Sequence, residues 1–201
     1  MTHLLYLHGF RSSPQSTKAR QFRDWVQAHR PDIHWWCPQL PPSPRDAIAL
    51  LTQGTAGWPL AQTAVVGSSL GGFYATVLAE RWAQPVRVVL LNPAVHPARD
   101  LADRIGETTA WHSDEPFFFR PEFIAELRDM TPARITQRSR YFAVIAKGEE
   151  VLDWREMAAR YADGPMQLLE GNDHALSDFE DAFSAVRDFL GLGDPRHLIT
   201  S

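Results

Sequence analysis

Hydrophobic and polar residues alternate in two patterns along the chain. Short apolar runs predict buried strands, and stretches with apolar residues three and four positions apart predict amphipathic helices. Phe22, Trp25 and Val26 follow the helical spacing. The predicted strands lie at residues 3–9, 32–38, 63–67, 86–92, 141–147 and 166–171. The predicted helices lie at residues 16–30, 43–53, 70–82, 154–162 and 177–190.

This alternation of strands and helices predicts an α/β fold. Strands that are joined through helices pair in parallel, and helices then cover both faces of the sheet. With right-handed crossovers the result is a doubly wound, mainly parallel six-stranded sheet. A chain of 201 residues suits one domain, so we expect residues 1–201 to form a single unit.

Residues 93–140, between the fourth and fifth predicted strands, interrupt the alternation. This segment is far longer than a usual connection and includes the aromatic-rich stretch 110–123. Long segments at the carboxyl edge of such a sheet often cover the site, so we predict a small cap or lid. The alternative is an extra helical pair packed on the sheet edge. Trp111 and Phe117 to Phe119 either line a pocket for an acyl group or anchor the insertion.

Composition and charge narrow the classes of partner. A net charge of −4 and a pI near 6.0 argue against binding to nucleic acid. The single cysteine, Cys37, excludes an internal disulfide and a cysteine-based zinc site, and it fits a reducing compartment. No apolar run is long enough for a membrane span, so we expect a soluble, cytoplasmic protein with no membrane partner. The oligomeric state stays open.

The stretch "VGSSLGG" after the third predicted strand contains the pattern G-x-S-x-G, centred on Ser69. Ser68 does not fit, because Val66 and Leu70 occupy its flanking positions. Between a strand and a helix, this pattern predicts a strained turn that lifts a nucleophilic serine above the sheet edge. The alternative is a plain Gly/Ser turn that caps the helix, and it would explain either serine.

His174 is the histidine best placed to act as the base for Ser69. A serine hydroxyl needs a base to take its proton, and in such folds the order along the chain is serine, acid, histidine. His174 follows the sixth predicted strand, at the carboxyl edge of the sheet. The alternative is a loop histidine that helps to cap the last helix.

Three carboxylates after the fifth predicted strand compete for the role of the acid. Glu149 comes directly after Gly148 at the strand's carboxyl edge, and we choose it. Asp153 begins "DWRE", which is typical of a helix N-cap with a capping-box partner. Glu150 is expected to point away from its neighbour.

Two backbone amides are candidates for an oxyanion hole. Leu70 begins the helix after Ser69, where free N–H groups and the helix dipole favour an anion. Phe10 follows the first strand in "LHGF", a turn that directs N–H groups into the space above Ser69. His8 in the same turn is interpreted as a structural histidine that binds the turn.

Five stretches together resemble the small bacterial YqiA-like esterases of the α/β-hydrolase superfamily. They are "YLHGFRSSPQSTKA", "GSSLGGFYAT", "LLNPAV", "GEEVLDWREM" and "GNDHALSDFE", and they span nearly the whole chain. The resemblance implies a compact α/β-hydrolase fold without the first two strands of larger relatives, and carboxylesterase activity on short acyl esters. It supports Ser69 and His174. That family commonly has "GDEVLD", so Glu149 stands where an aspartate is expected and Asp153 remains an alternative.

The expected function is therefore a serine esterase that acts on a small acyl ester. Ser69, Glu149 and His174 would form the catalytic triad, with no metal and no cofactor. Thioesters and other bonds cleaved by α/β-hydrolases remain alternatives, because the same groups handle several acyl compounds. A hydrolase-like binding module without activity is a further alternative, since fold does not determine function.

Overall fold

A computed structural model gives the structure of the chain and describes residues 1–109, 116–177 and 179–193. Seven α-helices, three short 3₁₀ helices and eight strands are assigned within these residues. The strands are β1 (His3–Leu7), β2 (His34–Trp36), β3 (Thr63–Ser68), β4 (Arg87–Leu91), β5 (Gly106–Thr109), β6 (Pro116–Phe119), β7 (Tyr141–Ala146) and β8 (Met166–Leu169). The helices are α1 (Thr17–His29), α2 (Pro44–Gly54), α3 (Leu70–Arg81), α4 (Pro97–Asp100), α5 (Pro121–Met130), α6 (Trp154–Arg160) and α7 (Glu180–Leu190).

The central sheet has six parallel strands in the order β2-β1-β3-β4-β7-β8. The register places Leu5 beside Val65, and Val65 beside Val88. This confirms the predicted doubly wound parallel sheet. The chain goes to one side of β1 to form β2 and then to the other side to form β3. Ligands bind at such a reversal in open α/β sheets, beyond the carboxyl ends of the strands.

Two hydrophobic cores lie on opposite faces of the sheet, because side chains along a strand alternate between its faces. On one face Leu4 and Tyr6 of β1 pack with residues of α1 and α7. On the other face Leu5 and Leu7 pack with residues of α2, α3 and α5. Helix α3 is buried from Leu70 to Ala79. This central helix therefore presents a rigid N-terminus at the carboxyl edge of the sheet.

The segment between β4 and β7 contains α4, the antiparallel pair β5 and β6, and α5. The sequence pattern does not predict a two-stranded sheet in this segment. Phe119 is buried, and both Phe117 and Phe119 contact Phe10 edge-on with ring centroids 5.2 Å apart. Phe118 is 49% exposed. Phe117 and Phe119 thus anchor this segment to the turn after β1, whereas Trp111 lies outside the described residues. That the segment acts as a lid stays a prediction.

A polar cluster on the edge of α3 joins this helix to the segment before β7. Glu80 accepts hydrogen bonds from Thr136, Arg140 and Tyr141. Glu80 also forms an ion pair with Arg140. Both side chains are nearly buried, with 10% of Glu80 and 8% of Arg140 exposed. Burial alone would raise the pKa of Glu80, but these hydrogen bonds outweigh burial and lower it. The carboxylate therefore stabilises the fold while it is ionised.

Replacing Glu80 with alanine is expected to lower the free energy of unfolding by about 3–5 kcal/mol, because it leaves Arg140 as a buried charge without its partner. Urea unfolding followed by circular dichroism measures the change. The exposed pair of Arg120 and Glu122 supplies the control, with side chains 61% and 57% exposed. Glu122→Ala is expected to cost less than about 1 kcal/mol. Equal losses in the two variants would contradict the prediction.

The same pair predicts a dependence of stability on pH. The pKa of Glu80 is lowered in the folded state, so its contribution is present above the ordinary glutamate pKa and is lost as the pH falls through the lowered value. The difference in unfolding free energy between the native chain and Glu80→Ala should therefore shrink in acid.

Candidate active site

Ser69 lies in the turn between β3 and α3 with a left-handed backbone, φ 53° and ψ −121°. A residue with a side chain rarely adopts this conformation, so the surrounding structure must hold it. The Ser69 amide donates to the carbonyl of Leu91 (2.9 Å), and the Ser69 carbonyl accepts from the amide of Ala94 (3.0 Å). These contacts attach the strained residue to β4 and to the loop that follows it.

Gly67 and Gly71 make this turn possible, as the G-x-S-x-G pattern predicts. A Cβ atom at Gly67 would overlap the backbone of Gly71 and Gly72 in the first turn of α3. A Cβ atom at Gly71 would overlap the carbonyl of Leu7 at the end of β1. The two glycines therefore allow the helix to pack directly against β3 and β1, which leaves the Ser69 side chain at the sheet edge.

The loop between β8 and α7 brings His174 to Ser69. The distance from His174 Nε2 to Ser69 Oγ is 3.1 Å. Asn92, buried at the end of β4 with φ 42°, holds this loop. Its Nδ2 donates to the carbonyls of Asp173 (3.0 Å) and His174 (3.2 Å), and its Oδ1 accepts from the amide of Ala146 (2.8 Å). Asn92 thus joins the histidine loop to the ends of β4 and β7.

Glu149 lies on the other side of the His174 ring. Its Oε2 is 2.6 Å from His174 Nδ1, and its side chain is fully buried, whereas that of His174 is 25% exposed. Glu149 Oε1 accepts from the amides of Val151 (2.7 Å) and Leu152 (3.0 Å). These contacts fix the Glu149 carboxylate in place, so that it orients the His174 ring.

The other two candidate acids contact different groups. Asp153 is the N-cap of α6 and accepts from the amide of Arg155 (2.9 Å). Glu156, which the capping-box pattern would turn back towards Asp153, binds Arg99 instead. Glu150 Oε2 accepts from the backbone amide of His174 (3.0 Å). The Glu150 side chain therefore contacts the main chain of the histidine loop and not the imidazole.

The turn after β1 forms a second wall beside the serine. A Cβ atom at Gly9 would lie 3.2 Å from Ser69 Cβ, so the two backbones are in close contact. His8 Nε2 accepts from the amide of Leu40 (3.1 Å), so its Nδ1 carries the proton and donates to the Gly9 carbonyl (3.0 Å). Burial lowers the pKa of His8, which keeps this ring neutral. His8 is a structural residue of the turn.

A cavity of about 540 Å³ opens onto Ser69 and His174. Phe10 and Leu70, the two residues proposed from the sequence to stabilise an oxyanion, both line it. Leu101 and Leu152 add apolar wall, and Lys18 adds an ammonium group. This volume lies within the range typical of small-molecule sites, so the cavity can hold a compact substrate next to the serine.

The sequence pattern assigns no role to Asn92 or Lys18, and it presents Glu150 only as a competing acid. "LLNP" places Asn92 at the end of a strand, where an amide can bind loop carbonyls, but nothing in the pattern names its partners. Lys18 is one of only two lysines in the chain, and this rarity is visible in the composition. In the part of the chain that the structure describes, no group of three or more His, Cys, Asp or Glu residues is arranged to hold a metal ion. No helix there is long and apolar enough to cross a membrane.

The three side chains form a continuous chain of hydrogen bonds. With Nδ1–H of His174 donating to Glu149, Nε2 has a free lone pair that faces the Ser69 hydroxyl. This tautomer follows from the ionised carboxylate, which can only accept. An imidazole in this arrangement can accept a proton from the serine, and the carboxylate stabilises the imidazolium that results.

Several solved structures are similar to this chain. A proposed hydrolase from Agrobacterium vitis has a TM-score of 0.72 at 17% identity, over 94% of this chain and 88% of that one. Est1E from Butyrivibrio proteoclasticus, solved with ferulic acid bound, has a TM-score of 0.71 at 13% identity, over 94% and 88%. The alpha/beta hydrolase domain-containing protein 10 from mouse has a TM-score of 0.68 at 14% identity, over 94% and 89%. At these identities the likeness shows the α/β-hydrolase fold.

The sequence comparison identifies the family directly. The uncharacterised protein family UPF0227 matches residues 3–191, which span β1 to the end of α7. This range includes the turn at Ser69, the acidic turn at Glu149 and the histidine loop. The chain therefore belongs to UPF0227, the YqiA family that its motifs resemble, and it has the α/β-hydrolase fold.

Proposed function

We propose that the protein is a serine esterase that hydrolyses short acyl esters through a covalent acyl-enzyme. The observation that carries the proposal is the chain of contacts from Ser69 to His174 (3.1 Å) and from His174 to Glu149 (2.6 Å), with the serine on a strained turn. An activated nucleophile needs this combination of base and orienting acid.

In the acylation step the Ser69 oxygen attacks the ester carbonyl while His174 Nε2 takes the hydroxyl proton. The carbonyl oxygen gains the negative charge, and the amides of Phe10 and Leu70 are the proposed donors to it. When the intermediate collapses, the bond to the alcohol breaks and His174 gives its proton to the departing oxygen. Ser69 then carries the acyl group as an ester.

Deacylation repeats these steps with water. His174 takes a proton from water as the water oxygen attacks the acyl carbon, and a second intermediate forms with its charge on the same oxygen. The bond to Ser69 breaks, and the proton on His174 returns to the serine oxygen. Glu149 stays ionised throughout and stabilises the imidazolium in both halves of the reaction.

Labelling with a fluorophosphonate probe tests the proposal, because such probes react only with an activated serine. We expect stoichiometric labelling of the native chain, with the adduct located on Ser69 by peptide mass spectrometry. Ser69→Ala should abolish labelling, and Ser68→Ala should retain it. Folded native protein that does not react would indicate a binding module without activity.

A panel of acyl esters and thioesters of graded chain length then identifies the bond and the acyl size. We expect kcat/KM to fall once the acyl chain outgrows the cavity of about 540 Å³. A clear preference for thioesters over matched oxygen esters would change the substrate class but leave the roles of the three side chains intact.

A further inference from the structure

Lys18 is an unusual residue for this chain. Of the twenty basic Lys and Arg residues only two are lysines, Lys18 and Lys147. Lys147 is half-buried and pairs with Glu170 at the carboxyl end of β7. Lys18 lies in the first turn of α1 and lines the cavity that contains Ser69 and His174. The chain thus places one of its two ammonium groups at the wall of its candidate active site.

The hydrogen bonds of Lys18 leave part of its donor capacity unused. Its Nζ donates to the carbonyl of Ala175, the residue after His174. A lysine ammonium has three N–H donors. Among the described residues this is its one hydrogen bond, so two donors remain for a group inside the cavity. Because unpaired charge in a partly buried place is costly, a bound anion would stabilise this group.

Nearby carboxylates do not satisfy these donors directly. Asp173 and Glu149 are close enough for their charges to act on Lys18. The oxygens of Asp173 accept from the amide (2.8 Å) and hydroxyl (2.7 Å) of Ser177, and those of Glu149 accept from His174 and two amides. Each carboxylate therefore has its own partners. Their charges favour the ammonium form of Lys18, but neither carboxylate accepts a hydrogen bond from it.

The wall of the cavity contains other charged side chains. Arg11, in the turn after β1, and Arg104, after α4, line the same cavity. Of the two acids in its wall, Asp100 accepts from Arg99 (2.8 Å) and Glu150 accepts from the His174 amide. The cavity wall therefore contains three cations, and Lys18 among them contacts the histidine loop.

We propose that Lys18 determines specificity by binding a carboxylate of the substrate, so that the protein prefers esters that carry a free acid group. This inference rests on the proposed esterase function and goes beyond it by naming the substrate class. The ammonium pairs with the carboxylate at one end of the substrate while Ser69 attacks the ester at the other. Charge-assisted hydrogen bonds of this kind are about twice as strong as neutral ones.

Matched pairs of esters test the proposal. The first pair is the methyl half-ester of glutaric acid and the neutral methyl ester in which an isopropyl group replaces the carboxylate. The second pair places the carboxylate in the alcohol portion, as the acetate ester of a short hydroxy acid and its neutral isostere. The ratio of kcat/KM between anionic and neutral members is measured with pH-stat titration. We expect this ratio to exceed one in at least one pair.

Replacing Lys18 with methionine keeps an unbranched side chain one atom shorter and removes the charge. The ratio should fall by about tenfold to a hundredfold, the range expected for a lost hydrogen bond to a charged group. Lys147→Met, which removes the other lysine, should leave the ratio unchanged. Lys18→Arg retains the charge and should keep part of the preference, which also gives a folded variant if the methionine variant is unstable.

The native protein supplies a second readout through pH. Burial lowers the pKa of Lys18 to about 8, although the charges of Asp173 and Glu149 oppose the shift. The ammonium loses its proton as the pH rises through this value, so the preference for the anionic ester should decline above pH 8 in native protein and stay flat in Lys18→Met.

The outcomes separate the inference from the function on which it rests. Hydrolysis of the neutral esters and labelling of Ser69 show that the esterase is active, whatever the ratio. The inference is wrong if active native enzyme prefers the neutral member of both pairs. It is also wrong if Lys18→Met lowers kcat for anionic and neutral esters equally, because Lys18 would then only position the histidine loop through Ala175.

Discussion

Replacing His174 with alanine is expected to lower kcat for ester hydrolysis by about four to six orders of magnitude, because Ser69 loses the base that takes its proton. The imidazole Nε2 lies 3.1 Å from the serine oxygen, and no other histidine contacts that oxygen among the residues the structure describes. Steady-state hydrolysis of a short acyl ester at neutral pH measures the loss. Fluorophosphonate labelling should slow by a similar factor.

His29 provides a matched control for this prediction. It is an exposed histidine at the end of α1, where its ring stacks on Trp25 at 4.7 Å between centroids. His29→Ala should keep native kcat and KM. Thermal unfolding of both variants shows whether the fold is retained. If His174→Ala kept more than about a tenth of native kcat while folded, the proposed role of the imidazole as base would be wrong.

Replacing Glu149 with glutamine is expected to lower kcat by about three to four orders of magnitude. The amide can donate to Nδ1, which would favour the tautomer with the proton on Nε2, and that nitrogen could no longer accept from Ser69. Stabilisation of the imidazolium is lost as well. KM should change much less, because Glu149 is fully buried behind the histidine and does not line the cavity.

Asp153→Asn decides between the two candidate acids. Asparagine caps helices about as well as aspartate, so this variant should keep both stability and kcat close to native values. Parallel kinetic measurements on the two variants compare them directly. A large loss of kcat in Asp153→Asn with near-native kcat in Glu149→Gln would transfer the role of the acid to Asp153.

The fold was predictable because its signals are local. Each strand of the central sheet is a short apolar run between helical stretches, and parallel pairing follows from that alternation. Helix starts were equally local: Ser43 caps α2 with Pro44 in the first turn, and Asp153 caps α6. The strained turn at Ser69 depends on Gly67 and Gly71, two residues whose spacing is visible in the sequence.

Features that depend on contacts distant in sequence were not predictable. The pair β5 and β6 forms within a segment whose aromatic residues fit several structures, and it is stabilised by Phe10, which lies far away in the chain. The choice between Glu149 and Asp153 could be argued only from position, since both follow β7. Lys18 and the histidine loop are 157 residues apart, so no local pattern relates them.

Asn92 has a consequence for the energetics of the site. Its amide group connects the loop that carries the imidazole to two central strands, which are the least deformable part of the molecule. The ring, the hydroxyl and the buried acid are consequently aligned by contacts within the fold itself. These three side chains should therefore move little when a substrate binds. The entropy of ordering them is lost once, when the polypeptide folds, and not in every turnover.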